Sequence, residues 1–189
     1  MIESPRLLLR RFRPDDAPAL GAYRSDPDIA RYQVWPSPLT PAEAAETVRR
    51  HAEAQPENPG WFQYAIELKA DSTLIGDLGV NLHENRLQAD IGFTLAAAHH
   101  GHGYATEAVQ AVVGHLVARG LHRFGAYCDA RNTASIRVLE RTGFRREGHG
   151  IEAVLVRGEW TDSYTFGLLA RHWKAPSAIS GAARGYRPR

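Results

Sequence analysis

Cysteine is almost absent: Cys128 is the only one in 189 residues, so no disulfide can close within the chain. No run of about 18 apolar residues occurs, which leaves no candidate for a membrane-spanning helix. The opening Met1-Ile2-Glu3-Ser4-Pro5 lacks an apolar signal segment, and there are no internal repeats. These absences predict a cytoplasmic protein with no membrane partner. Acidic residues are missing from one stretch, because Arg171 to Arg189 holds five Lys or Arg and no Asp or Glu. The formal net charge of +2 therefore belongs to the end of the chain, since the first 170 residues carry eighteen basic and twenty-one acidic residues. A mildly acidic body suits an amine better than a phosphate backbone, so no nucleic-acid partner is expected.

What is present is an ordinary balance, 43% hydrophobic and 23% charged, enough for a buried core. The length suits one domain, taken as residues 1–173, with a basic tail over 174–189. That tail is rich in Ala, Ser, Gly, Pro and Arg, and disorder is expected there.

Periodicity gives the elements. Arg6 to Arg11 reads as a first strand, and Pro14-Asp15-Asp16 opens a helix with Leu20 and Tyr23 on its inner face. Ser25 to Asp28 reads as a loop. Thr40, Pro41 and Glu43 form a capping box for a helix that carries Ala45, Val48 and Ala52 on one face until Pro56. Period-2 alternation marks three strands. Trp61–Leu68 aligns Phe62, Tyr64, Ile66 and Leu68; Leu74–Leu82 aligns Leu74, Gly76, Leu78, Val80 and Leu82; Ala89–Leu95 aligns Ala89, Ile91, Phe93 and Leu95. The period then becomes helical from Tyr104 to Arg119, with Ala105, Ala108, Val112 and Leu116 on one face and Gly120 as the stop. A short strand over Arg123–Cys128 leads to a helix capped by Asn132, carrying Ile136 and Leu139 and closed by Gly143. Strands near Ala153–Val156 and Trp160–Leu169 complete an α+β domain with about seven strands and four helices.

One unit is informative about chemistry: the strand Ile91-Gly92-Phe93-Thr94-Leu95, the loop Ala96 to His102, then Gly103-Tyr104-Ala105-Thr106-Glu107-Ala108. A helix start exposes backbone N–H groups and partial positive charge, and Gly101 and Gly103 let an anion approach that backbone. The loop is shaped for a diphosphate. A Walker-A loop requires Gly-Lys-Ser/Thr, whereas Tyr104 follows Gly103 here; a dinucleotide fingerprint requires a third glycine and a later acid. A plain strand–helix turn that uses glycine for geometry is the competing reading.

Ile91-Gly92-Phe93 followed by His100-Gly101-His102-Gly103-Tyr104-Ala105-Thr106-Glu107-Ala108 resembles the acetyl-CoA motif of the GNAT superfamily of N-acetyltransferases. The likeness extends to Asn132-Thr133-Ala134-Ser135, Val138 to Phe144, Gly158 to Asp162, and the opening Ser4 to Arg10. It covers roughly residues 4–173 and points to the RimJ/RimL-like (ribosomal-protein N-terminal acetyltransferase) branch. The resemblance implies a mixed sheet whose fourth and fifth strands splay, with the pantetheine arm of acetyl-CoA inserted between them. It places pantetheine along Phe93, Thr94 and Leu95, with an N–H near Leu95 as oxyanion donor, and the pyrophosphate on His100, Gly101, His102, Gly103, Tyr104, Ala105 and Thr106. The family usually has Gln or Arg where His100 stands. Asn132 would cap its helix and touch the pantetheine arm.

For catalysis the resemblance implies Ser135 as the proton donor to the departing thiolate, with a local first-turn hydroxyl as the alternative. Asp90 is a candidate to bind or deprotonate the amine, or else a solvated strand residue. Some relatives carry a Glu in the strand after Gly148, where Val154 aligns here, and Glu152 shares that face if the stretch is extended. Asp162 matches a Gly-x-x-x-Asp turn. His99, His100 and His102 lack the spacing of a zinc site, so no metal is expected. Cys128 reads as a small core residue. Trp35, in the loop Tyr32 to Pro38, belongs either to the acceptor pocket or to the core. The implied function is acetyl transfer from acetyl-CoA to a primary amine, on a peptide N-terminus or a small molecule, in a homodimer. A non-catalytic acyl-CoA-binding protein is the alternative.

Overall fold

The computed structural model describes residues 1–175, so most of the predicted tail lies outside the described residues. Among these, eight strands form one sheet and five α-helices flank it. The strands are β1 (Ile2–Glu3), β2 (Leu7–Arg10), β3 (Gly60–Leu68), β4 (Leu74–Leu82), β5 (Gln88–Leu95), β6 (Arg123–Asp129), β7 (Arg145–Val156) and β8 (Glu159–Leu169). The helices are α1 (Ala17–Ser25), α2 (Pro27–Ala30), α3 (Pro41–Glu53), α4 (Tyr104–Ala118) and α5 (Thr133–Arg141). The sheet order is β1-β2-β3-β4-β5-β6-β8-β7. Every pairing is antiparallel except β5 with β6, which are parallel and joined through α4.

The meander follows the alternation in the sequence. Phe62 faces Val80, and Val80 faces Ile91; Tyr64 faces Leu78, and Leu78 faces Phe93. This side of the sheet packs on Ala108, Val109, Val112 and Val113 of α4. Leu74 departs from the predicted face. A register shift after Ile66 sets Glu67 opposite Leu74, so Ile75 enters the α4-side core and Leu74 packs on the other side. That other side holds Ala65 under Leu20, Tyr23, Ala44 and Val48 of α1 and α3.

The capping box of α3 forms as its residues predict, with Thr40 N–H donating to Glu43 Oε2 at 2.8 Å and Glu43 N–H to Thr40 Oγ1 at 3.3 Å. The buried face of α3 is Ala44, Thr47 and Val48, while Ala45 is exposed. Thr47 can be buried because its hydroxyl donates to the Glu43 carbonyl at 2.8 Å. Pro14–Asp16 forms a 3-10 turn ahead of α1, and the predicted loop after Ser25 contains the one-turn helix α2, where Asp26 accepts from Asp28 N–H. β7 starts at Arg145, eight residues before the predicted Ala153. It is an edge strand, exposed along most of its length, so Arg145 to Gly150 carries no apolar alternation to reveal it. Among the described residues no helix is long and apolar enough to cross a membrane.

Candidate active site

The seam between β5 and β6 closes over only three residue pairs, Gln88–Arg123, Ala89–Phe124 and Asp90–Gly125. Beyond Asp90 the two strands part, although β5 runs on to Leu95 and β6 to Asp129. The outer edge of β5 stays bonded to β4 through Leu95. A V-shaped opening results, with strand edges on both sides whose N–H and C=O groups lack a ladder partner among the described residues. Such edges accept an extended, amide-bearing chain. Phe93 lies on the α4 side of β5 and is partly buried, whereas Thr94 is buried on the opposite side.

The glycine loop sits at the open end of the V. Gly101 and Gly103 both have φ of 79°, the left-handed region in which a side chain is strained. A Cβ at Gly101 would meet nothing within 4 Å, and one at Gly103 would meet only Arg6 Nη2 at 3.6 Å. Gly103 is the N-cap of α4, and no side chain caps the helix. The first backbone bond runs from Glu107 N–H to the Gly103 carbonyl, leaving the N–H groups of Tyr104, Ala105 and Thr106 without partners among the described residues. Three unpaired donors at a helix start beside two bare glycines fit a pyrophosphate. His100 is exposed, but its Nε2 lies 2.9 Å from the Leu95 carbonyl oxygen, which ties the loop to the end of β5. His102 stacks on Tyr104 with ring centroids 5.7 Å apart.

Arg6 is a site residue that reasoning from the sequence missed. Its guanidinium lies 4.5 Å from the Tyr104 ring centroid, and its Nε donates to Glu107 Oε2 at 2.7 Å. Ser4 Oγ and the Arg6 N–H both donate to Glu107 Oε1. Burial raises the Glu107 pKa, but these donors outweigh it and hold the carboxyl below the usual range. Its charge is thus satisfied by Ser4 and Arg6 and does not oppose an anion at the helix start. The opening Ser4-Pro5-Arg6 was visible as a motif, but its partner lies 101 residues away.

Asp90 stands at the closed end of the V. Its Oδ2 accepts from Asn81 Nδ2 at 3.2 Å and lies 3.0 Å from His83 Nε2, while Oδ1 fills the space that a Cβ of Gly125 would occupy. Asp90, His83 and Gly125 border a cleft of about 130 Å³ shared with Arg123, Tyr127, Glu147 and Thr165. Asn132 caps α5, its Oδ1 accepting from Ser135 N–H at 3.1 Å. The Ser135 hydroxyl is half-buried and makes no hydrogen bond among the described residues. Glu152 does not lie in an extended stretch. The β7 register shifts between Gly150 and Val154, Glu152 adopts φ of 46°, and its N–H donates to Asp162 Oδ1. Asp162 therefore clamps this bulge, its other oxygen 2.7 Å from His149 Nε2. Trp35 packs against the α1/α3 side with the Arg24 guanidinium over its ring, and its Nε1 donates to the Arg24 carbonyl. Among the described residues no three His, Cys, Asp or Glu side chains form a metal-ligating group.

A family model described as Acetyltransferase (GNAT) domain matches residues 6–145, which takes in the V, the glycine loop and α5. The chain belongs to this GNAT acetyltransferase family. The uncharacterized N-acetyltransferase p20 of Bacillus licheniformis is 29% identical over 170 residues, spanning 89% of this chain and 95% of that protein. A GNAT-family acetyltransferase from Bacillus anthracis has a similar structure, with a TM-score of 0.81, 29% identity, and coverage of 90% of this chain and 98% of that one. The ribosomal-protein α-N-acetyltransferase RimL, solved with coenzyme A, matches with a TM-score of 0.78 over 88% of this chain and 95% of that one. At 24% identity that likeness concerns the fold alone.

Proposed function

We propose that this GNAT enzyme moves an acetyl group from acetyl-CoA to a primary amine, on a peptide N-terminus or a small molecule, within the RimJ/RimL-like branch. The observation that carries this reading is the V between β5 and β6, placed beside an uncapped helix start. Phe93, Thr94 and Leu95 would hold the pantetheine arm as a neighbouring strand would. The backbone from Gly101 to Thr106 would hold the pyrophosphate, and Arg6 adds a guanidinium at the same mouth. The thioester supplies an activated acetyl group. An N–H on β5 nearer Asp90 than Leu95 would polarise its carbonyl, because Leu95 stands five residues, about 16 Å, from the closed end; Asn132 fixes the start of α5, and Ser135 offers an unengaged hydroxyl to the departing thiolate. At the closed end Asp90 supplies negative charge that draws in an ammonium. Glu152, in its exposed bulge, is assigned to the acceptor rim.

The test is thiol release from acetyl-CoA against N-terminal peptides, polyamines and aminoglycosides, with calorimetric acetyl-CoA binding alongside. Turnover on one class supports the reading and names the acceptor. Binding with no turnover on any amine supports the non-catalytic acyl-CoA-binding alternative, and no binding overturns both.

A further inference from the structure

The closed end of the V holds a second titratable side chain, His83, at the first position after β4. Its backbone is fixed, since its N–H donates to the Gln88 carbonyl at 2.9 Å across the turn into β5. Its ring is fixed as well, with Nε2 3.0 Å from Asp90 Oδ2. The Asp90 carboxylate cannot swing away easily: Asn81 donates to the same oxygen, and the other oxygen occupies the space above Gly125. A carboxylate offers only acceptors, so the ring nitrogen facing it is the N–H and the lone pair lies on Nδ1. Nδ1 makes no hydrogen bond among the described residues. The imidazole is also the outer member of the pair, its side chain 36% exposed against 16% for the carboxylate. Across the cleft, Arg123 is ion-paired with Glu147, so neither is a free charge next to the ring.

We infer that His83 Nδ1 takes the proton from the acceptor amine, with Asp90 as the positioning residue that sets the tautomer and orients the ring. The inference rests on the acetyl-transfer reading of this same cleft and specifies the proton's path. An ammonium has no lone pair, so one proton must leave before attack, and an imidazole exchanges protons readily near neutral pH. The freed amine nitrogen then forms a C–N bond to the acetyl carbon as the C–S bond breaks. The proton given up first resides on His83 until solvent removes it, and the second N–H proton lost by the nitrogen ends on the coenzyme thiol. Atoms and charge balance without any further reactant. The arrangement shares the logic of other carboxylate-held imidazoles, in which one nitrogen is held by an acid and the other is left basic.

The experiment compares wild type with His83→Gln, His83→Ala and Asp90→Asn, using the amine that the acceptor panel identifies. His83→Gln is expected to lower kcat on the order of 10²- to 10³-fold while acetyl-CoA affinity, read by calorimetry, stays within about twofold. Added imidazole should restore part of the rate to His83→Ala and none to Asp90→Asn. In parallel, histidine-selective ¹⁵N NMR of the full chain, which needs no acceptor, should find neutral His83 as the Nε2–H form, with that preference lost in Asp90→Asn. Wild-type kcat in His83→Gln beside an inactive Asp90→Asn would overturn the inference and leave acetyl transfer standing. An Nδ1–H tautomer overturns it whatever the turnover. Absence of thiol release by wild type with every amine strikes the acetyl-transfer reading itself.

Discussion

Gly125 shows how a missing side chain shapes the site: the space where its Cβ would sit is filled by Asp90 Oδ1. Gly125→Ala should displace the end of that carboxylate while disturbing little else. We expect a fall in kcat approaching that of Asp90→Asn, with a stability loss of about 1 kcal/mol by denaturant unfolding. Glu152→Gln, in contrast, should change kcat less than about threefold, because its side chain is exposed in a bulge; a loss comparable to Asp90→Asn would move the proton path to β7. Cys128 is partly buried and packs against the margin of the core. Burial first, and then the neighbouring Asp129 charge, push its thiol up to about 11. Thiolate is the reactive form, so iodoacetamide at pH 7.5 should label native protein far more slowly than unfolded protein, as read by mass spectrometry.

At the scale of elements, the strand–loop–helix unit around α4 and its neighbouring strands was legible because period and punctuation agree. Phe62 to Leu68 and Ala89 to Leu95 alternate cleanly, and Gly103 and Gly120 bracket α4. What escaped the sequence did so for physical reasons. β1 is two residues long, and the first half of β7 is an edge with both faces wet, so neither carries a hydrophobic period. Ala45 against Ala44 is a choice between adjacent alanines that only packing decides: Ala44 sits so close to Gly21 that a Cβ added to that glycine would come within 3.1 Å of the Ala44 Cβ. The glycine loop was readable as an anion site, but Arg6 and His83 were not, since their roles depend on contacts with Tyr104, Glu107 and Asp90. Gly103→Ala tests the loop. The left-handed φ should cost roughly 1 kcal/mol of stability, and acetyl-CoA affinity should drop about tenfold or more. Unchanged affinity would mean that the pyrophosphate lies elsewhere.

Across the whole molecule, the layer of α1 and α3 carries a pH sensitivity distinct from the site. His51 packs its ring on Phe12 with centroids 5.4 Å apart, and its buried Nε2 has no partner among the described residues. Burial chiefly, with help from the Arg24 charge, lowers its pKa to about 4. The unfolded chain, with a histidine near 6.5, binds this proton more readily than the native one. Stability should therefore fall as pH drops from about 6.5 towards 4, by on the order of 2 kcal/mol from this residue. His51→Phe should flatten that part of the curve in urea unfolding at pH 7, 6, 5 and 4.

On the proposed reading, the V and the uncapped start of α4 together receive acetyl-CoA. Hydrogen exchange of the full chain with and without saturating acetyl-CoA, resolved by peptide mass spectrometry, tests it most directly. Slowed exchange is expected in peptides covering Ile91–Leu95 and Gly101–Thr106, with little change in β2, β3 or α3. Binding that protects other segments and leaves these two unchanged would contradict it.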